Sequence, residues 1–225
     1  MAFGWLAGRR VLFIRHGNTG KATNDQDRQI TELGERQAAK FRASYSEEIA
    51  SVRFAFCSPV ARTVTTAALL LMGSELSATP IADLYFGNIV TDEHRAVDRV
   101  IGYAPVQTYL ASHADLYQQP AKQMASALDA AGSEVRGEGS VLVVGHAMYL
   151  SLLTLQVIEA LTGTTLTTEA AATGIDLVKG ANLSEVEGFE ISAEGGVRCL
   201  RNQMDDAALG PNTGATKCND DFVTG

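Results

Sequence analysis

A short apolar run that ends abruptly in charged and small residues is the feature that most constrains this chain. Val11 to Ile14 are apolar strand formers, and Arg15, His16 and Gly17 follow them without a linker. An apolar run bounded by a turn signal is typical of a buried strand. A charged pair is costly to bury there, and ligands bind where the strands of an open α/β sheet end. We therefore predict that Arg15 and His16 lie at the floor of an active site.

Strand-like and helix-like segments alternate through much of the sequence. In chain order they are strand 10–15, helix 32–44, strand 52–57, helix 58–72, strand or extended edge 79–86, strand 140–145 and helix 148–162. Thr31 is predicted to cap the first helix, and Ser58 with Pro59 the second. Because such alternation favours parallel strands with helices on both faces, we predict a three-layer αβα sandwich with a mostly parallel central sheet.

The segment 87–139 is the least regular, with helix-like pieces over about 93–103 and 106–132 broken by Pro105 and Pro120. We expect it to be a cap-like insertion over the strand ends, within one α/β domain spanning residues 1–204. The remaining segments are predicted as a loop over 162–173, a hairpin of strands 185–191 and 196–201, and a polar, partly disordered tail over 205–225.

Composition excludes several classes of partner. The 225 residues are 46% hydrophobic, enough for a sizeable core, and the net charge is −8. This charge argues against a nucleic-acid partner, which would favour a basic patch, and no apolar run reaches the roughly 18 residues of a membrane helix. The three cysteines are odd in number and lack a C-x-x-C pair, which is typical of reduced thiols and predicts a cytoplasmic protein.

Three candidate functional residues each lie shortly after a predicted strand in the sequence. They are His16, Arg62 and His146, and parallel strands would bring them, together with Arg15, to one edge of the sheet. Arginines suit bidentate contacts to phosphate oxygens, and histidine forms covalent intermediates as a nucleophile. The positive charge of the arginines should keep His16 neutral. No serine-nucleophile, phosphate-loop or zinc motif is present, so these residues predict phosphoryl transfer through a phosphohistidine.

The chain also resembles the histidine phosphatase (phosphoglycerate-mutase-like) superfamily in four ordered segments. Arg15–Thr19 is similar to its R-H-G-x-T signature, and Thr31–Ala38 to its L-T-x-x-G-x-x-Q-A helix start. Cys57–Ala67 resembles its S-S-P-x-x-R-x-x-x-T-A segment, and Val144–His146 its V-G-H strand end. Four matches in order make the resemblance specific, whereas the R-H-G triplet alone would be weak.

The resemblance implies a role for each matching residue. His16 would be the nucleophile that accepts the phosphoryl group. Arg15, Arg62 and His146 would form the phosphate pocket and stabilise the transferring charge, with a further polar contact from Asn18. The resemblance implies neither a metal nor another cofactor.

The proton donor is where this sequence departs from the family pattern. Many members place a glutamate in an E-x-x-[YF]-G-like segment, and the corresponding residues here are Asp83–Gly87. Asp83 would then be the catalytic acid, one methylene shorter than glutamate, with Asp92 and Glu93 as alternatives. Some members lack this acid and use substrates whose leaving group needs less help.

We therefore predict a phosphatase that hydrolyses phosphate monoesters, acting on a small phosphorylated metabolite or a phosphoprotein. The alternatives are a phosphoglycerate mutase, a phosphoprotein (phosphohistidine) phosphatase and a non-catalytic phosphate-binding scaffold. A mutase must hold a second charged group of its substrate, and the few basic residues in 87–139 make a phosphatase the better prediction. His94 and His113 are interpreted as histidines of a polar surface. Tyr149 is interpreted as an ordinary residue of an amphipathic helix, with a place in the pocket wall as the alternative.

Overall fold

One twisted sheet organises the chain in the computed structural model, which describes residues 3–163 and 173–202. Its strands are β1 (Val11–Arg15), β2 (Val52–Cys57), β3 (Thr79–Pro80), β4 (Ser140–Gly145), β5 (Gly188–Ile191) and β6 (Val197–Leu200). They lie in the order β3-β2-β4-β1-β5-β6. The first four are parallel to one another, and the β5–β6 hairpin is added antiparallel to β1. The predicted tail over 205–225 and most of the predicted 162–173 loop lie outside the described residues.

Helices cover both faces of this sheet and confirm the predicted three-layer sandwich. They are α1 (Glu32–Ser44), α2 (Ser46–Ala50), α3 (Ala61–Leu70), α4 (Asp92–Ile101), α5 (Val106–Gly132), α6 (Ala147–Thr162) and α7 (Thr173–Gly180). Thr31 caps α1 as predicted, because its Oγ1 accepts the Gly34 N–H at 3.2 Å. Within the described ranges, no helix combines the length and the apolar character needed to cross a membrane.

The alternation of side chains along β1 divides the core into two layers. Leu12 and Ile14 pack with α1 and α3 on one face of the sheet. Val11 and Phe13 pack with α5 and α6 on the other. Every residue from Val11 to Ile14 is fully buried, as expected for a strand at the centre of a parallel sheet covered on both sides.

Two local predictions differ from the structure. Of the strand or extended edge predicted over 79–86, only Thr79–Pro80 form the edge strand β3, and residues 82–84 and 86–88 form 3-10 turns. Ser58 does not cap a helix, because its N–H continues the sheet ladder to the Val144 carbonyl at 3.1 Å. Helix α3 instead begins at Ala61, after Val60.

The long helix α5 also differs from the predicted insertion. Only its first part belongs to a cap, because Tyr117, Ala121, Met124 and Leu128 form a buried stripe in the core beneath the sheet. Pro120 does not break the helix, and the irregular backbone lies at His113, with φ −139°.

A buried histidine explains how α5 tolerates its proline. Proline lacks the N–H that would bond to the carbonyl four residues earlier, and that carbonyl belongs to Leu116. His94 supplies the missing donor, since its Nε2 lies 2.9 Å from the Leu116 oxygen. Its Nδ1 accepts the Thr91 N–H at 3.1 Å. His94 is therefore a buried structural residue rather than the surface histidine that the sequence suggested.

Trp5 is held against the far end of α5. The Trp5 indole N–H donates to Asp129 at 3.0 Å, and its ring packs edge-on against Phe56 at 5.9 Å. A Cβ at Gly132 would lie 1.9 Å from the indole. Only glycine therefore lets the helix approach the ring so closely.

We predict that His94 and Pro120 are energetically coupled. His94→Ala should lower the free energy of unfolding by about 1–3 kcal/mol because it leaves the partly buried Leu116 carbonyl without its donor. Pro120→Ala restores a backbone N–H at that position. It should therefore be more favourable in the His94→Ala background than in wild type, by about 1 kcal/mol. Urea denaturation of the four proteins measures the coupling, and additive changes would contradict it.

Candidate active site

The ends of three neighbouring parallel strands bring the candidate site together. His16 follows β1, and its N–H donates to the Gly145 carbonyl at 3.0 Å. His146 follows β4 directly, and Ser58 follows β2. Because the sheet ladder continues through this point, the two imidazoles lie side by side, with ring centroids 5.3 Å apart.

His16 is buried and held in one tautomer. Its Nδ1 lies 2.8 Å from the Gly17 carbonyl oxygen, which can only accept, so in the neutral ring Nδ1 carries the proton. Nε2 is then the nitrogen with the lone pair, and no described residue hydrogen-bonds to it. Burial, followed by the charge of Arg15, lowers the pKa of His16 to about 3. The ring is therefore neutral near pH 7, as a nucleophile requires.

His146 joins the strand ends to Arg62. Its Nδ1 accepts from Arg62 Nη2 at 3.4 Å, and its Nε2 lies 2.9 Å from Ser58 Oγ. Since a guanidinium cannot accept, the proton of the neutral ring is on Nε2. Burial, then the neighbouring His16 and Arg62, hold the pKa of His146 well below its usual value. Ser58, predicted as a helix cap, instead orients this ring.

A cavity of about 220 Å³ opens above the two histidines. It has charged, aromatic and small residues in its wall. The lining consists of His16, Asp25, Arg28, Arg62, Phe86, Asp98, Gly102, Tyr103, Tyr109, His146, Ala147, Met148 and Tyr149. Two arginines and two aspartates thus face one small space, so their formal charges balance before an anion binds.

Asp25, from the loop after β1, makes the closest contacts to Arg62. Its Oδ2 lies 2.6 Å from Arg62 Nη2 and accepts the Tyr85 hydroxyl at 3.0 Å. Its partial burial would raise the pKa of this carboxyl. The hydrogen bond and charge of Arg62, with Tyr85 and Arg28, outweigh burial and hold the pKa below its ordinary value. An ionised carboxylate is therefore paired with the guanidinium that the sequence predicts to bind phosphate.

Of the other predicted phosphate contacts, neither Arg15 nor Asn18 lines the cavity. The Arg15 guanidinium lies 4.9 Å from the centre of the Tyr103 ring and donates to the Leu183 carbonyl at 2.5 Å. Its charge still acts on the pKa of His16. The Asn18 Oδ1 accepts the Thr31 hydroxyl at 2.8 Å, which ties it to the start of α1.

The three predicted acid candidates also lie outside the cavity lining. The Asp83 carboxylate accepts from Gln123 Nε2 at 3.2 Å, because the 82–84 turn directs it toward α5 instead of continuing a strand. Asp92 and Glu93 are exposed in the first turn of α4. The carboxylates that do line the cavity, Asp25 and Asp98, were not identified from the sequence.

The remaining points concern a tyrosine of the cavity wall, the Cys57 thiol and the capacity to bind a metal ion. Tyr149, interpreted from the sequence as an ordinary helix residue, is buried and faces the cavity. Cys57 is a free, buried cysteine, and burial raises the pKa of its thiol to about 11. Across residues 3–163 and 173–202, no three or more histidine, cysteine or acidic side chains are grouped so as to bind a metal ion.

A comparison with models of protein families identifies the superfamily of this chain. The model of the histidine phosphatase superfamily (branch 1) matches residues 11–182. The chain belongs to the histidine phosphatase superfamily. The resemblance predicted from four short segments is thereby confirmed over most of the sequence, and a search of curated proteins finds no match.

Solved structures share the fold of this superfamily member at low sequence identity. A mycobacterial hydrolase matches with TM-score 0.55 and 15% identity, over 87% of this chain and 97% of its own. Bacillus stearothermophilus YhfR gives 0.53 and 18%, over 82% and 91%. The alpha-ribazole phosphatase of Shigella flexneri gives 0.51 and 19%, over 81% and 90%. At these identities the likeness shows a common fold.

We predict that Asp25→Asn strengthens anion binding to this histidine phosphatase superfamily member. The variant removes the carboxylate charge next to Arg62 but keeps its shape, so the dissociation constant of inorganic phosphate should fall by roughly fivefold. Titration calorimetry measures it. Asp27→Asn, an exposed carboxylate of the same loop, is the control. Unchanged or weaker phosphate binding in Asp25→Asn would show that Asp25 does not compete with phosphate for Arg62.

The two buried histidines should also make stability fall in acid. The folded-state pKa of His16 is about 3, below its unfolded value of about 6.5. The unfolded chain therefore binds more protons between these values, and the free energy of unfolding decreases as pH falls from 6.5. His16→Gln should remove up to about 1.4 kcal/mol per pH unit of that slope. Urea denaturation at several pH values tests this. His113→Gln should keep the slope, and an equal slope in all three proteins would refute the assignment.

Proposed function

We propose that this chain is a phosphatase that hydrolyses small phosphate monoesters through a phosphohistidine on His16. The observation that carries the proposal is the state of His16. It is a neutral imidazole in the cavity wall whose Nδ1 is fixed on the Gly17 carbonyl. This leaves Nε2 as the nucleophile, beside the cationic groups Arg28 and Arg62.

In the first step, the lone pair of His16 Nε2 forms a bond to phosphorus while the bond from phosphorus to the leaving oxygen breaks. In the second step, water attacks phosphorus, the nitrogen–phosphorus bond breaks, and inorganic phosphate leaves. Arg62 would stabilise the charge on the transferring group in both steps. Arg62, which lines the cavity, has a buried Nε–H with no acceptor among the described residues. This is a donor that a phosphate oxygen would satisfy.

The leaving oxygen needs a proton, and the cavity supplies it poorly. Asp25 is held ionised by Arg62, so it is a weak acid catalyst. Asp83 remains a prediction from the resemblance, and its carboxylate would have to leave Gln123 to reach the cavity. We therefore infer that water provides the proton and that substrates with weakly basic leaving groups, such as aryl phosphates, react best.

The remainder of the cavity wall favours a small-molecule phosphatase over the alternatives. A mutase would need cationic groups for a second anion of its substrate, whereas the α4 side of the cavity presents the carboxylate of Asp98. The cavity of about 220 Å³ is sized for a small monoester.

We predict that His16→Ala abolishes hydrolysis of para-nitrophenyl phosphate. The loss should exceed roughly a thousandfold because the covalent route is removed, and the activity of the wild type should persist in a chelator because no step needs a metal. Phosphate release is measured at several pH values. His113→Ala, a histidine outside the cavity, should retain activity.

Two results would contradict the proposal. Activity near the wild-type level in folded His16→Ala would refute the phosphohistidine. Absence of turnover in wild type with every aryl phosphate, while inorganic phosphate still binds, would favour a non-catalytic phosphate-binding scaffold.

A further inference from the structure

The cavity has two chemically different sides. One side carries His16, Arg28, Arg62 and His146, the groups proposed to act on phosphate, together with Asp25, which is paired with Arg62. The other side comes from the cap and the start of α6, and among the described lining residues it carries neither lysine nor arginine. Its members are Phe86, Asp98, Gly102, Tyr103, Tyr109, Ala147, Met148 and Tyr149. Asp98 is therefore the single charged group on the side where a leaving group would lie.

Asp98 is held rigidly by two buried tyrosines. The Tyr117 hydroxyl donates to Asp98 Oδ1 at 2.5 Å, and the Tyr149 hydroxyl donates to Oδ2 at 3.1 Å. Each carboxylate oxygen has a further lone pair. Burial, together with Asp98, raises the pKa of both tyrosines. The hydroxyls therefore remain donors, and the carboxylate can accept additional hydrogen bonds from a molecule in the cavity.

The surfaces around Asp98 are aromatic. Phe86 and Tyr149 are stacked, with ring centroids 5.2 Å apart and an interplanar angle of 9°. Tyr109 packs against Tyr117 at 5.2 Å, which fixes a further ring of this side. Flat apolar walls suit a flat apolar group, and the cavity of about 220 Å³ restricts it to about one ring beside the phosphate.

We propose that Asp98 determines specificity for the leaving group, and that the substrates are small monoesters whose leaving group carries a positive charge or a hydrogen-bond donor. A cation or donor placed next to Asp98 gains a charge-assisted hydrogen bond. A carboxylate or second phosphate there meets a fixed like charge and is rejected. This inference rests on the proposed function and deepens it, because it names the chemical class of the substrate.

The test compares three aryl phosphates of similar size at neutral pH. They are para-(aminomethyl)phenyl, para-ethylphenyl and para-carboxyphenyl phosphate, which carry a cation, no charge and an anion. We expect wild type to prefer the aminomethyl over the carboxy ester in kcat/KM. In Asp98→Asn, this ratio should fall by roughly tenfold. Comparing the ratio between proteins cancels the different intrinsic reactivities of the esters.

Asp115→Asn is the matched control. It makes the same chemical change at an exposed position of α5, so it reproduces the change in net charge without altering the cavity. Its ratio should equal that of wild type. A ratio unchanged in Asp98→Asn would overturn the inference even where hydrolysis itself is normal.

Binding separates failure of this inference from failure of the proposed function. Titration calorimetry of the same esters with His16→Ala and with His16→Ala/Asp98→Asn needs no turnover. We expect the aminomethyl ester to bind more tightly than the carboxy ester, and the preference to be lost in the double variant. Equal affinities in His16→Ala, or binding of neither ester, would overturn the specificity role. Absence of hydrolysis with the binding preference intact would overturn only the proposed catalysis.

Discussion

The pairing of β1 with β4 is the constraint on which the site depends. The parallel register aligns Val11 with Val141 and ends by aligning Arg15 with Gly145. His16 and His146 are therefore the next residues of two adjacent strands, and their rings meet at the carboxyl edge of the sheet. A register shift of one residue would turn His16 to the opposite face. The buried alternation of β1 that fixes the core thus also fixes the geometry of the candidate site.

Electrostatic balance follows from this placement. Two imidazoles buried beside arginines cannot easily carry charge, so both are neutral in the folded protein. The guanidinium of Arg62 is itself 1% exposed, and it would be an uncompensated buried cation without Asp25. The loop after β1 therefore stabilises the unliganded site with the same carboxylate that opposes an incoming anion.

The parts of the molecule that were predictable are those in which local pattern and tertiary structure agree. Periodicity identified β1, β2, β4 and the late hairpin, and the family motifs led to His16, Arg62 and His146. Ser58–Pro59 was predicted to begin a helix because a serine at a strand end has the same local sequence as a helix cap. Only the fold shows that the Ser58 N–H donates to the Val144 carbonyl of the neighbouring strand. Asp83 lies outside the cavity lining because Pro80 and the turn after it end the edge strand early. Asp25 and Asp98 carry no local signal at all, since only the folded chain brings them to the cavity.

The position of Trp5 gives the molecule a built-in optical reporter. It is the only tryptophan of the chain, and its indole touches Phe56 of β2 and lies against Gly132 at the end of α5. The other end of that helix places Tyr109 in the cavity wall. The fluorescence emission of Trp5 therefore senses whether α5 is docked on the sheet. The cap side of the cavity depends on this docking, and no attached label is needed to follow it.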